Sequence, residues 1–231
     1  MINERRKKIL ELLSQRGRVS VGELSRTLFV SEMTVRRDLA DMEKGGFLHR
    51  YHGGAVSKIN IGDMPISERL LLDRQEKELL AARAKEYLTD GITVFIDSSS
   101  TCQYIIPHIA DHKNITVVTN SVSALLSLGA LHIHTILIGG EYYEQDMCSV
   151  GSIAERYASE LNIDVGFFTT AAISNDGVIS DFDQRQTYIR RLVMNNTDKS
   201  VFLFENEKKG KKHIYTLCQK DEAYSVIMID D

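Results

Sequence analysis

Two adjacent arginines, Arg36 and Arg37, follow Ser31, Met33 and Thr34 in the run VSEMTVRRDLADM, residues 30–42. Residues of these types can read a nucleic acid. A guanidinium forms paired hydrogen bonds with a guanine edge or a phosphate, and small apolar groups meet the methyl of thymine. Such a set works only if one element holds its back and presents its front. The run meets that condition as a short helix. Ser31 is placed to cap it, with Glu32 just inside, where negative charge suits the helix dipole. Val30 and Val35 are spaced as a hydrophobic staple. Val35, Leu39 and Met42 fall on one apolar stripe, so Met33, Thr34 and Arg37 point away towards bases and Arg36 sits at the flank, suited to a phosphate. The same composition would also serve a solvated surface helix, and the neighbouring segments decide between the two.

Upstream, residues 5–15 carry Ile9, Leu12 and Leu13 at helical spacing, and Gly17 follows as a helix stop. Ser20 and Glu23 have capping-box spacing, with Val19 and Leu24 as its staple, so a second helix starts there with Leu24 and Leu28 inward. A break at Phe29 and Val30 precedes the arginine-bearing helix. Two short helices with a tight turn between them form a helix-turn-helix. Downstream, Gly45 and Gly46 end the third helix. Residues 47–56 (FLHRYHGGAV) then read as a β-hairpin wing. Arg50 is placed to touch phosphate. His49 and His52 would reach phosphate or a groove edge if they face the duplex, and are otherwise exposed loop residues. Arg5 and Arg18 add basic charge for further phosphate contacts.

The charge distribution agrees. The 231 residues have a net charge of −4, but residues 1–58 carry +5 and the remainder −9. A basic module joined to an acidic one suggests one end that binds a polyanion and one that avoids it. No apolar run approaches the length of a membrane span, and the first residues, MINERRKKILELL, do not read as a signal peptide. Cys102, Cys148 and Cys218 lie far apart, which argues against disulfides or a zinc site and fits a reducing cytoplasm.

Residues 58–74, with Pro65, read as a linker, and a helix covers about residues 73–88 with Leu79, Leu80, Ala84 and Leu88 near helical spacing. Beyond it short strands and helices alternate: strands at 92–97, 115–119, 135–138, 164–170, 199–204 and 224–229, and helices at 101–110 (shortened or kinked by Pro107), after Ser121, at 151–161 and at 184–195. That alternation specifies a mostly parallel sheet with helices on both faces. Ligands of such sheets bind at the carboxyl ends of strands. Those ends carry Asp97, Ser98, Ser99, Ser100 and Thr101; Thr119, Asn120 and Ser121; Gly139 and Gly140; Thr169 and Thr170; and Glu205 to Lys208. Hydroxyls and free N–H groups suit a phosphate. Asp97, Asn120 and Glu205 suit sugar hydroxyls, and Lys208 would neutralise phosphate charge. Taken singly, the hydroxyl residues also fit helix caps and turns.

His132 and His134 would share one face of a strand, as in some metal sites, but nothing nearby completes a ligand set. Cys102 reads as a buried thiol. The chain has no G-x-S-x-G elbow, P-loop or G-x-G-x-x-G.

The run RGRVSVGELSRTLFVSEMTVRRDLADMEKGGFLHRYHGGAV, with its V-S-x-x-T-V-R-R-D-L core and R-x-H-G-G-A wing, resembles the DNA-binding region of the DeoR family of bacterial transcriptional regulators. DSSST (97–101), TNS (119–121), GG (139–140) and ENEKKG (205–210) resemble the loops D-[SA]-G-[ST]-T, T-N-[SA], G-G and D-x-[ST]-K-x-G of its sensor domains. The resemblance covers essentially the whole chain. It implies a Rossmann-like sensor similar to ribose-5-phosphate isomerase and CoA transferases, which takes a phosphorylated sugar. The chain departs from the pattern at three places. Ser99 replaces a glycine, Glu205 replaces an aspartate, and TTAAI (169–173) stands where the family has G-[AC]-x-G-[IV]. Side chains at Ser99, Thr169 and Ala172 would narrow or reshape the pocket.

The expectation is therefore an α/β protein with a winged helix-turn-helix at residues 1–57, a linker at 58–74 and an effector-sensing domain at 75–231. It would be a cytoplasmic, homo-oligomeric (dimer or tetramer) repressor of carbohydrate-metabolism genes without a cofactor, binding operator DNA and a phosphorylated sugar. The alternatives are a sugar-phosphate isomerase-like or transferase-like enzyme with a DNA-binding appendage, which has only Asp97 and Glu205 as candidate acid/base groups, and a regulator with a degenerate sensor.

Overall fold

Capping residues set the helix boundaries at the amino-terminal end of the chain. The computed structural model describes residues 4–45, 47–57 and 65–229, so the expectations for Gly46 and for residues 58–64 of the linker lie outside it. The chain divides into two compact units, Met1–Leu72 and Asp73–Asp231. In the first, α1 (Glu4–Arg16), β1 (Arg18–Ser20), α2 (Val21–Leu28), α3 (Glu32–Lys44), β2 (Leu48–Tyr51) and β3 (Gly54–Ser57) follow in order. The Ser20 hydroxyl accepts from Glu23 N–H at the start of α2, and the Glu23 carboxylate pairs with Arg16. Phe29 closes α2 in the left-handed region at φ 53°. Ser31 then caps α3 by accepting from Thr34 N–H.

The three helices bury one core from Ile9, Leu13, Leu24, Val35, Leu39 and Met42, which Leu48 and Ala55 of the hairpin complete. Strand β3 lies between β1 and β2, antiparallel to both. Strand β1 is an addition to the sequence reading. Three residues are too few to show a period, and they become a strand only by pairing with the wing. The turn of that wing is His52 and Gly53, with Gly53 at φ +112°. Gly54 belongs to the strand, and a Cβ there would meet Val19 O at 2.1 Å. Only glycine lets the wing approach β1 this closely. After Pro65, α4 (Ile66–Arg69) is a single turn.

The second unit is built on a parallel sheet. It begins with α5 (Arg74–Ala84), where Leu80 and Ala84 are buried, as is Leu88 beyond it, but Leu79 is 54% exposed, against expectation. Then come β4 (Thr93–Ile96), a 3-10 turn (Cys102–Ile105) leading into α6 (Ile106–Ile109), β5 (Thr116–Thr119), α7 (Val122–Ala130), β6 (Thr135–Leu137), β7 (Glu141–Tyr143), β8 (Cys148–Val150), α8 (Gly151–Ser159), β9 (Ile163–Phe168), β10 (Ala172–Ile173), β11 (Val178–Asp181), α9 (Gln184–Asn195), β12 (Thr197–Phe204), β13 (Tyr215–Gln219) and β14 (Ser225–Met228). Pro107 stands in the first turn of α6, where it costs no hydrogen bond.

The six-stranded sheet has the order β14-β12-β9-β4-β5-β6, parallel throughout. Its residues alternate between two cores. Val94, Ile96, Val117, Phe167, Val201 and Leu203 face Leu80, Ile106 and Leu128 of α5, α6 and α7. Phe95, Val118, Phe168, Phe202 and Phe204 face Ala154, Ile189 and Val193 of α8 and α9. Strands buried on both faces read as continuous apolar runs, which is why TVFI and TVVT were recognisable. Two small antiparallel sheets, β10-β11-β13 and β7-β8, were not foreseen, since strands of two to five residues carry little usable alternation. Among the described residues no helix is long and apolar enough to cross a membrane.

Candidate functional site

In the first unit, α3 has a wholly buried back and an exposed front. Val35, Leu39 and Met42 are at most 1% exposed, whereas Met33 is 76% exposed. Arg36 and Arg37 are both exposed. Arg36 lies 3.3 Å from Glu32, an i,i+4 pair in solvent that a phosphate can displace. Arg37 carries no ion pair among the described residues, so its guanidinium is available. Thr34 hydrogen bonds Ser31 through its hydroxyl at 2.9 Å. In the wing, Arg50 is held by Glu43 at the end of α3 through both its N–H and its Nε, each at 2.8 Å. His52 is exposed at the wing turn, but His49, expected as an exposed loop residue if it did not face the duplex, is 8% exposed because β2 turns it inward.

Arg5, expected to contact phosphate, has a carboxylate partner within the unit. It and Arg6 both bind Asp38, which is buried on α3. Burial opposes the charge of Asp38, but hydrogen bonds from Arg5 and Arg6 outweigh it and hold its pKa below the usual value. Arg5 thus ties α1 to α3. Arg18 is exposed on β1 beside the wing.

In the second unit the carboxyl ends of β12, β9, β4 and β5 bring together most of the polar residues read from the sequence. Asp97, Ser98, Ser99, Ser100, Thr101, Thr119, Asn120, Ser121 and Glu205 are all buried. Much of their hydrogen bonding is internal. Ser99 Oγ accepts from Cys102 N–H at 3.2 Å, Ser121 Oγ caps α7, and Thr119 Oγ1 donates to Ile96 O at 2.7 Å. Asp97 lies beneath Arg190 Nε at 3.0 and 3.1 Å. Arg190 also reaches Asp181 at 2.8 Å and Gln186 at 3.0 Å. Gln186 in turn meets Ser98 and Asp146. Burial opposes the Arg190 charge, but Asp97 and Asp181 outweigh it and raise its pKa.

At the β12 end Glu205 takes Thr101 Oγ1 at 2.6 Å and Lys208 Nζ at 2.8 Å. Lys208 also donates to Thr169 Oγ1 at 3.0 Å. Burial would raise the pKa of Glu205, but Lys208 and the buried Lys77 prevail and hold it at about 2. A carboxylate so strongly ionised is a poor general base near neutral pH.

The glycine pair divides. Gly139 faces open space, but a Cβ on Gly140 would meet Val150 O at 2.7 Å and Ala154 Cβ at 2.8 Å, so Gly140 serves the packing of α8. The two histidines do not share a strand face. His132 sits in a turn at φ +55° and His134 precedes β6. Cys102 is fully buried, which pushes its thiol pKa up. A separate polar cavity of about 300 Å³, lined in part by Asn162, Asp164 and Asn196, opens at the amino-terminal ends of β9 and β12, the edge opposite these groups.

Comparison with known proteins now bears on both units. Residues 5–59 match the DeoR-like helix-turn-helix domain and residues 72–230 the DeoR C terminal sensor domain. The chain belongs to the DeoR family. It is 30% identical to the lactose phosphotransferase system repressor of Staphylococcus aureus (strain NCTC 8325 / PS 47) over 231 residues, covering 98% of this chain and 91% of that protein. It is 29% identical to the glycerol-3-phosphate regulon repressor of Escherichia coli (strain K12) over 209 residues, covering 90% and 83%. Among solved structures it is similar to ribose 5-phosphate isomerase from Plasmodium falciparum, with 16% identity, a TM-score of 0.44, and 58% of this chain and 52% of that chain covered.

In this DeoR-family chain the residues that sequence reasoning missed are Asp38, Lys77, Asp146, Gln186 and Arg190. Gln186 and Arg190 had a visible signal. They stand at i and i+4 on the α9 stripe that Ile189 and Val193 bury, and polar side chains on a buried stripe need partners.

Proposed function

We propose that this DeoR-family chain is a DNA-binding repressor of carbohydrate-metabolism genes that acts as a homo-oligomer and whose operator affinity is changed by a phosphorylated sugar. The observation that carries the reading is α3. Its apolar side packs in the core, and its outward side presents Met33, Thr34 and Arg37, which has no ion pair among the described residues, at the amino-terminal half of the helix. That half of a reading helix contacts base edges in the major groove. Arg18, Arg36, Arg50 and His52 are assigned to the DNA backbone, Ser31 to the helix start beside it, and Arg5 to a supporting role through Asp38. The names of the two relatives, a lactose phosphotransferase system repressor and a glycerol-3-phosphate regulon repressor, support repression and a carbohydrate-linked regulon.

The effector is assigned to the carboxyl edge of the parallel sheet, with Asp97 to Thr101, Thr119 to Ser121, Gly139, Glu205 and Lys208 around it and Gly140 behind it. Lys208 gives the β12 end a cation that suits a phosphate. The enzyme alternative loses ground because Asp97 is taken by Arg190 and Glu205 by Lys208. The degenerate-sensor reading has one observation in its favour. Thr169, at a family glycine position, occupies Lys208. Thermal melting of the full chain with a panel of sugar phosphates separates the two. A ligand at 100 times its Kd stabilises by about 2.7 kcal/mol, and no shift with any member favours the degenerate sensor.

A further inference from the structure

We propose that the side-chain amides of Gln103 and Asn120 form a subsite for the hydroxyl-bearing part of the effector. The inference rests on the sugar-phosphate reading and adds to it a chemical requirement.

Two buried side-chain amides at this edge each keep one polar atom unmet among the described residues. Asn120 is 2% exposed. Its Nδ2 donates to Ser149 O at 3.1 Å, yet its Oδ1 has no partner among the described residues. Gln103 is 6% exposed. Its Oε1 takes the Ser123 hydroxyl at 3.0 Å, and its Nε2 is likewise unmet. Buried polar groups in folded proteins almost always find partners, and two unmet amides in neighbouring loops point to a shared one. The loops do adjoin. Asn120 follows β5 directly, Gln103 lies in the turn after β4, those strands pair in parallel, and the contact between Ser123 and Gln103 links them.

The unmet atoms define the chemistry. Asn120 Oδ1 needs a donor, which a phosphate dianion does not supply. Gln103 Nε2 needs an acceptor. A hydroxyl offers both, and it satisfies the Gln103 amide in either orientation of its O and N. Adjacent hydroxyls of a polyol therefore fit, and a bare anion does not.

The test uses the full chain, titrated calorimetrically with methyl phosphate, glycerol 3-phosphate, ribose 5-phosphate and glucose 6-phosphate. The expected result is that at least one polyol phosphate binds tenfold or more tightly than methyl phosphate. Gln103→Met should erase that ratio and leave methyl phosphate affinity within twofold. Gln103→Leu should do the same, and the thermal melt of each unliganded variant reports its folding. A purely structural role would lower the melting temperature without changing the ratio. If the polyol phosphate binds both variants as it binds the parent, the sugar-phosphate reading stands and the Gln103 subsite is overturned. If methyl phosphate binds as well as every polyol phosphate, the hydroxyl subsite is overturned. If no probe binds, the sensing reading itself fails and the subsite with it.

Discussion

Lys208 Nζ donates to the Thr169 hydroxyl at 3.0 Å while it pairs with Glu205. The DeoR-family pattern has glycine where this chain has Thr169. The added hydroxyl therefore holds the cation that a phosphate would otherwise engage. Replacing Thr169 by glycine should free Lys208 and raise affinity for a phosphorylated ligand, by about tenfold if one hydrogen bond to a charged group is released. Isothermal titration with glycerol 3-phosphate or ribose 5-phosphate reads the change. Unchanged or weaker binding would mean that Thr169 does not compete with the ligand.

Asp38 ties α1 to α3 through Arg5 and Arg6. Asp38→Ala should destabilise the protein by about 1–3 kcal/mol, a range set by the partial exposure of both arginines. Its pKa is depressed in the folded state, so its contribution is present above the unfolded value near 3.9 and fades as pH falls through the folded one. Urea midpoints of parent and variant should differ at pH 7 and converge in acid. A constant difference down to pH 2 would contradict this account.

Gly54 approaches β1 so closely that a methyl group would meet Val19 O at 2.1 Å. Gly54→Ala should cost about 1–3 kcal/mol by overpacking and displace the wing. Because the wing is assigned to phosphate contacts, the variant should lose affinity for specific and random duplexes alike. Loss confined to the specific duplex would move the wing's role to base reading.

Glu205 titrates at about 2 in the folded state, held there by Lys208 and Lys77 against the effect of burial. Its stabilising contribution is complete above the ordinary glutamate value near 4.5 and is lost as pH falls towards 2. The full difference is roughly 3 kcal/mol by linkage. Glu205→Gln should flatten the acid limb of the stability profile between those values. An acid limb identical to the parent's would show that Glu205 does not titrate there.

How much of this was legible in the sequence depended on the length of the signal. Ser20, Ser31 and the stripe Val35, Leu39 and Met42 gave the helix-turn-helix because caps and a 3.6-residue period act locally. The six parallel strands were readable because apolar runs such as TVFI are buried on both faces. Strands β1, β7, β8 and β10 were not, because two or three residues become a strand only through a partner distant in sequence. The candidate effector edge was readable as a cluster of strand ends, but its wiring was not. Asp97 with Arg190 spans 93 residues and Thr101 with Glu205 spans 104. Such pairs are fixed by the fold and leave no local pattern. For the same reason the partner of Arg5, 33 residues away on α3, left no local mark.

On the proposed reading, α3 reads DNA through Arg37 while the basic groups around it hold the backbone. The most direct test is to select a preferred duplex from a random library with the full chain. Its affinity and that of a scrambled duplex are then measured by fluorescence anisotropy across salt concentrations, for the parent and for Arg37→Ala. Affinity for both duplexes should fall steeply with salt. Arg37→Ala should lose about 1–3 kcal/mol on the selected duplex and little on the scrambled one. Affinity that is flat with salt, or an Arg37→Ala loss equal on both duplexes, would contradict it.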